Sequence, residues 1–161
     1  MNKPLSNADI ERHLGSDVQI LQYYQLGDYS TVERLLGEAG AAVILYPGVD
    51  KNPEGHWCGL MYSYNDEGER VIEFFDPYGI SVDKELKIVN DKTPRYLSKL
   101  LLTSRWPLVF NDNKFQRYAK NIATCGRHVV NRILNKNMSL ERYLQCFGGR
   151  DADKIVTQLI N

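Results

Sequence analysis

Cys125, His56 and Asp76 are the residues of this chain whose types can act together as a nucleophile, a base and the group that orients the base. Cys125 follows Ala123-Thr124, precedes Gly126 and opens a segment of helical periodicity. Backbone N–H groups at a helix N-terminus favour an anion, so a thiol there is biased toward thiolate, the attacking form. Gly126 adds no side chain beside it and leaves room for a substrate backbone, while the N–H of Cys125 is available to an oxyanion. His56 and Asp76 flank a hairpin whose turn, centred between Asp66 and Glu67, sets His56 opposite or diagonal to Asp76. Facing Cβ atoms stand roughly 4.5–5.5 Å apart and diagonal ones about 7–8 Å, so the imidazole and the carboxylate can meet. A carboxylate in that place fixes the imidazole tautomer and stabilises the imidazolium. Gln116, at the end of the loop from Asn111, is a neutral amide able to donate to an oxyanion, and Asn113 is the second candidate for that role.

A metal site is the competing chemistry. His56-x-Cys58 with Cys125-x-x-His128 supplies two imidazoles and two thiols, the ligand set of a structural zinc, and residues three apart at a helix start can converge. That set leaves Asp76 and Gln116 without a role, and the reading preferred here needs no metal or other cofactor. Trp57 reads as a core or cleft-wall aromatic that can also bind substrate beside Gly126, and Cys58 as a small core residue on the same sheet face as His56.

The elements that must position these groups follow from pattern and punctuation. Ser6 with Asp9 forms a capping box before Ile10 and Leu14, and Ser30 with Glu33 repeats it before Leu35-Leu36, with Gly37 to end the helix. Ala41 to Tyr46 is an apolar run stopped by Pro47-Gly48 and reads as a buried strand; strands are expected at Trp57 to Tyr64 and Arg70 to Phe75, with Asn65 to Gly68 as their turn. Thr93-Pro94 opens a helix through Leu97, Leu100 and Leu101, and Pro107 to Phe110 forms another strand. Val129, Val130, Ile133 and Leu134 recur at helical spacing, which predicts a buried central helix from Cys125 to Asn135. Ser139 to Phe147 and Asp151 to Ile160 close the chain as two helices around Gly148-Gly149. Helices at both ends and strands in the middle predict an α+β fold with a mainly antiparallel central sheet flanked by helices, in one domain over residues 1–161.

The 161 residues carry 20 Lys+Arg against 20 Asp+Glu, a balance that argues against nucleic acid as the main partner. No window approaches the ~18 consecutive apolar residues of a membrane span, and Met1 to Ser6 lacks the apolar stretch of a signal peptide, so a soluble, unsecreted protein without a membrane partner is expected. Cys58, Cys125 and Cys146 are too few and too scattered for a disulfide framework; with three cysteines at least one thiol is free.

Gly55-His56-Trp57, then Phe74-Phe75-Asp76-Pro77-Tyr78-Gly79, then Gln116, then Thr124-Cys125-Gly126 resembles the motif order of the adenovirus maturation proteases (adenain) and of the SUMO-deconjugating proteases. The resemblance covers about residues 42–134. It implies a papain-like α+β scaffold of the adenain type and a thiol protease: Cys125 as nucleophile, His56 as general base and acid, Asp76 as orienter, and Gln116 with the Cys125 amide as oxyanion donors. The small size resembles a capsid-maturation protease of a DNA virus or virophage, acting as a monomer on polypeptide precursors near Gly-containing sites. It would work in the cytoplasm of the infected host cell, at the virus factory, and be packaged in the virion. A ubiquitin- or SUMO-like deconjugating protease is the alternative. Adenain is basic and is stimulated by DNA and a peptide cofactor; the neutral charge here departs from that pattern, and the loop from Gln116 to Cys125 is longer.

Overall fold

The computed structural model describes residues 3–47, 55–80, 82–83, 94–117 and 123–161. In chain order the elements are α1 (Asn7–Leu14), β1 (Gln19–Gln22), a 3-10 helix (Tyr23–Asp28), α2 (Val32–Leu36), β2 (Ala41–Tyr46), β3 (His56–Tyr64), β4 (Arg70–Phe75), α3 (Tyr96–Leu101), β5 (Leu108–Phe110), α4 (Cys125–Leu134), α5 (Leu140–Gln145) and α6 (Ala152–Leu159). Among the described residues the five strands form one sheet in sequence order. Its centre, β2–β3–β4, is antiparallel as expected, and the two edge strands pair parallel to their neighbours. No helix among the described residues is long and apolar enough to cross a membrane.

The alternation of the strands splits the core in two. Ala41, Val43, Trp57, Met61 and Phe75 face one side, where Val129, Val130 and Ile133 of α4 pack with residues of α1, α5 and α6. Ala42, Ile44, Cys58, Leu60, Ile72 and Phe74 face the other, under α2, the 3-10 helix and α3. Gly59 sits where α4 crosses the sheet: an added Cβ would stand 3.1 Å from Val129 Cγ1, so glycine sets how closely the helix approaches. Leu134, expected among the core positions of α4, is instead exposed at the helix end.

The first capping box forms as expected, with Asp9 N–H donating to Ser6 Oγ and Ser6 N–H to Asp9 Oδ2. The second does not: Thr31, not Ser30, caps α2 by accepting from Arg34 N–H, and Glu33 instead accepts from Arg105 N–H. Pro94 also stands outside its helix, because α3 begins at Tyr96 after Arg95 as N-cap; Thr93 lies outside the described residues.

The β3–β4 hairpin is offset by one residue from the expected pairing. Gly59 faces Phe75 and Tyr64 faces Arg70. The cause is the turn. Asn65 N–H donates to Glu69 O, Asn65 Oδ1 accepts from the N–H groups of both Glu67 and Glu69, and Gly68 takes a φ of +79°, giving a three-residue loop centred on Glu67. The strand course therefore carries Asp76 past the last pair toward Cys58, and His56 meets it on the diagonal.

One buried charge pair locks α4 to the sheet. Arg132 Nε and Nη2 each donate to Glu73 at 2.7 Å, and the guanidinium also donates to Ser63 Oγ and to the carbonyls of Asn135 and Met138. Removing one partner of a buried pair strands the other charge. Arg132→Ala is expected to cost about 3–5 kcal/mol of stability, read as a lower urea midpoint. Replacing both residues together, Arg132→Met with Glu73→Leu, should recover most of the loss.

Candidate functional site

His56 is the first residue of β3, paired with Tyr46 at the end of β2. Its Nε2 lies 2.7 Å from Asp76 Oδ1, with both residues buried. The backbone around Asp76 fixes that carboxylate. Tyr78 N–H donates to the same Oδ1 at 2.8 Å, and Gly79 N–H closes the Asp-Pro-Tyr-Gly turn on Asp76 O. Gly79 has a φ of +70°, and an added Cβ would meet the carbonyl oxygens of Asp112 and Asn113 at about 3 Å, so both conformation and space require glycine. The Tyr78 ring stacks on the imidazole, centroids 4.6 Å apart and planes 20° from parallel.

Asn111 is a residue of the candidate site that sequence reasoning missed. Its Oδ1 accepts from Asp76 N–H at 2.8 Å and its Nδ2 donates to Asp76 O at 2.6 Å, so one amide clamps the backbone of the carboxylate in both directions. The parallel register Phe74 with Phe110 puts Asn111 next to that backbone. A polar residue ending the apolar run Leu108-Val109-Phe110 was the available signal.

Cys125 begins α4 at the edge of the core, the residue 9% exposed. Burial by itself pushes the His56 imidazole toward its neutral form. The negative potential of the Cys58 sulfur and hydrogen bonds to Asp76, Cys125 and Cys58 outweigh that and hold it well above the ordinary histidine value. Cys125 and Cys58 both act on the imidazole, and Cys58 is a sulfur there that the sequence offered as a core residue or as one ligand of the four-residue zinc set. With Nε2 on Asp76, Nδ1 is the ring nitrogen left to serve a sulfur.

Gln116 is buried beside the same turn: its N–H and that of Phe115 both donate to Pro77 O, at 2.9 and 2.8 Å. Asn113 is exposed and gives its carbonyl to Asn111 Nδ2, which favours Gln116 as the amide of the site. Trp57 is 6% exposed within the core under α4. The space a Cβ would take at Gly126 lies 3.2 Å from Leu5 Cβ and from Trp57 Cδ1, so packing inside the chain accounts for that glycine rather than room for a substrate.

The four-residue zinc set is not assembled. His128 turns away from His56 and binds Asp153, Nε2 to Oδ1 at 2.9 Å. The residues that bring metal-ligating atoms within 4.8 Å of one another, among those described, are His56, Cys58 and Asp76. Asp153 also accepts from Thr124 Oγ1 at 2.6 Å and from the N–H and Nε of Arg117, so one carboxylate on α6 ties down both flanks of the segment between Gln116 and Cys125. Burial would raise the Asp153 carboxyl, but the donors from His128, Thr124 and Arg117 hold it down at about 2. Burial keeps His128 below its ordinary value, so it donates as a neutral ring.

The Asp153 contribution is fully present above the unfolded carboxyl value of 3.8 and is lost as pH falls through about 2. Asp153→Asn should therefore cost roughly 2 kcal/mol near neutrality. In thermal melts the gap to the unmodified chain should narrow as the pH falls from about 4 to 2; a gap unchanged with pH would contradict it.

No protein-family model matches the chain. Among solved structures, the ASFV protease aligns over 100% of this chain and 69% of that chain, at 11% identity and a TM-score of 0.48. The SUMO protease Ulp1 aligns over 99% of this chain and 80% of that chain, at 13% identity and a TM-score of 0.41. In sequence, the Sputnik virophage protein named "Uncharacterized protein V9" is 37% identical over an alignment of 147 positions that covers 86% of this chain and 80% of the virophage protein. With that identity sustained over most of both chains, this protein belongs to the same family as the virophage protein.

Proposed function

We propose that this protein is a cysteine endopeptidase that processes viral precursor proteins. The observation that carries the reading is the buried His56 imidazole, bound to Asp76 at 2.7 Å and influenced by Cys125, which begins a buried helix. The Cys125 thiolate attacks the scissile carbonyl while Asp76 holds the imidazolium. The first turn of α4 has N–H groups without intrahelical partners, so the Cys125 amide and the Gln116 side chain stabilise the oxyanion. His56 then protonates the leaving amine, and the acyl-enzyme is released when the same imidazole activates water.

Capsid precursors cut near glycine are the substrates of this reading, met in the cytoplasm of the infected cell and in the virion; the virophage relative supports a viral setting. The protein acts as a monomer on polypeptide substrates, with nucleic acid not its main partner. Incubation with capsid precursors and with ubiquitin-like fusions, followed by mass spectrometry of the products, tests this. Cleavage of the precursors at discrete sites supports the reading; cleavage of ubiquitin-like fusions alone would replace it with a deconjugating activity, and cleavage of neither would remove it.

A further inference from the structure

We propose that His56, Cys58 and Asp76 bind a soft divalent cation, zinc above all, and that occupancy withdraws His56 from the chemistry. Each residue offers one ligand atom, these atoms lie within 4.8 Å of one another, and all three residues are buried. His56 and Cys58 are two apart on β3 and so share a face, and the one-residue offset of the hairpin brings Asp76 across from Cys58. Imidazole nitrogen, thiolate sulfur and carboxylate oxygen are the three donor types zinc takes, at about 2.0–2.3 Å, leaving a fourth position for water. Around a tetrahedral ion at those lengths the donors stand about 3.3–3.7 Å apart, so the widest separation here need close by only about 1 Å. The thiolate selects zinc or cadmium over magnesium and calcium.

The surroundings already orient the carboxylate. Tyr78 N–H and the Asn111 amide hold Asp76 whether its partner is the imidazole or an ion, the support that metal-ligating carboxylates need. Cys58 is fully buried beside the His56 imidazole, and its sulfur is the softest of the three donors. Coordination needs the Cys58 sulfur as thiolate and an unprotonated imidazole nitrogen, so protons compete with the metal and binding weakens as pH falls. The binding stands on these donors alone; the inhibition rests on the endopeptidase reading.

The test therefore has two arms. In the first, the metal-free full chain carrying Cys125→Ala and Cys146→Ser is titrated with zinc against a chelator and with cadmium in the ultraviolet. The expected result is one equivalent bound below micromolar concentration, a thiolate-to-cadmium absorption band and a higher melting temperature with zinc. Adding Cys58→Ala should weaken binding about 100-fold and abolish the band; Cys58→Ser serves the same purpose if the alanine variant does not fold. No bound equivalent, or affinity unchanged on loss of Cys58, would overturn the site. In the second arm, zinc should suppress cleavage by the unmodified chain, a chelator should restore it, and Cys58→Ala should need at least about tenfold more zinc for the same fractional loss. Equal sensitivity of the two chains would overturn the inhibitory role, while an inactive chain that still binds cadmium through Cys58 would count against the endopeptidase reading and leave the metal site standing.

Discussion

Cys125→Ala is expected to abolish cleavage, lowering kcat by at least about 10⁴-fold, while the chain keeps its fold. The size of the effect follows from the chemistry: without the sulfur no acyl-enzyme forms, and neither His56 nor the oxyanion donors can replace a nucleophile. The fold should survive because the change removes one sulfur at the edge of the core, at 9% exposure, from a helix whose other anchors remain. Val129, Val130 and Ile133 still pack on the sheet, Arg132 still pairs with Glu73, and Arg127 still donates to the carbonyls of Lys3 and Ile160 near the two ends of the chain. A stability cost on the order of 1 kcal/mol is expected for so small a truncation. Two measurements check this together: product formation by mass spectrometry and a thermal melt. A thiol-directed alkylating agent offers a third, since in a Cys146→Ser chain, which lacks the exposed thiol, labelling of Cys125 should block cleavage. Cleavage at the normal rate by the alanine variant would rule out the mechanism.

The hairpin and the central helix were legible because their signals are local. The apolar run Ala41 to Tyr46 stopped by Pro47-Gly48, the turn residues from Asn65 to Gly68, and the 3.6-residue spacing of Val129, Val130 and Ile133 each belong to one element, and each element formed. The register was off by one because the turn closes through Asn65 and Glu69, a choice made by side-chain acceptors and by the left-handed Gly68 rather than by loop length. The strand Gln19–Gln22 left no mark: four residues with two polar ends form an edge strand by parallel pairing with β2. Contacts between distant elements were equally hidden. Nothing local marks Glu73 as the partner of Arg132, or Asn111 as the clamp on Asp76, because both depend on which strand lies beside which. The packing around Gly126 was hidden for the same reason, since its neighbour Leu5 comes from the other end of the chain. Chemical type and order were enough to nominate His56, Asp76 and Cys125; the arrangement of Cys58, Asn111 and Asp153 around them required the fold.

Asp76→Asn separates the role of the charge from that of the shape. The amide is nearly the size of the carboxylate, and the backbone hydrogen bonds that hold residue 76, to Asn111 and from Gly79, do not use its side chain. The position should therefore stay built. What changes is the partner of His56 Nε2, now 2.7 Å from an oxygen that accepts. An amide can present its NH₂ there instead, which selects the tautomer that keeps the proton on Nδ1, toward the sulfur, and leaves no base where one is needed. It also removes a negative charge that favours the imidazolium, so the buried ring is left more open to the burial effect that drives it neutral. A fall in kcat of about 10³–10⁴-fold is expected, with KM changed little. The acidic side of the pH–rate profile should change as well, because proton affinity at His56 drops when Asp76 loses its charge. Kinetics from about pH 5 to 9 on the variant would read both effects. An unchanged kcat would mean that Asp76 only builds the turn; a large fall in kcat with a normal melting temperature would assign it to orienting the base.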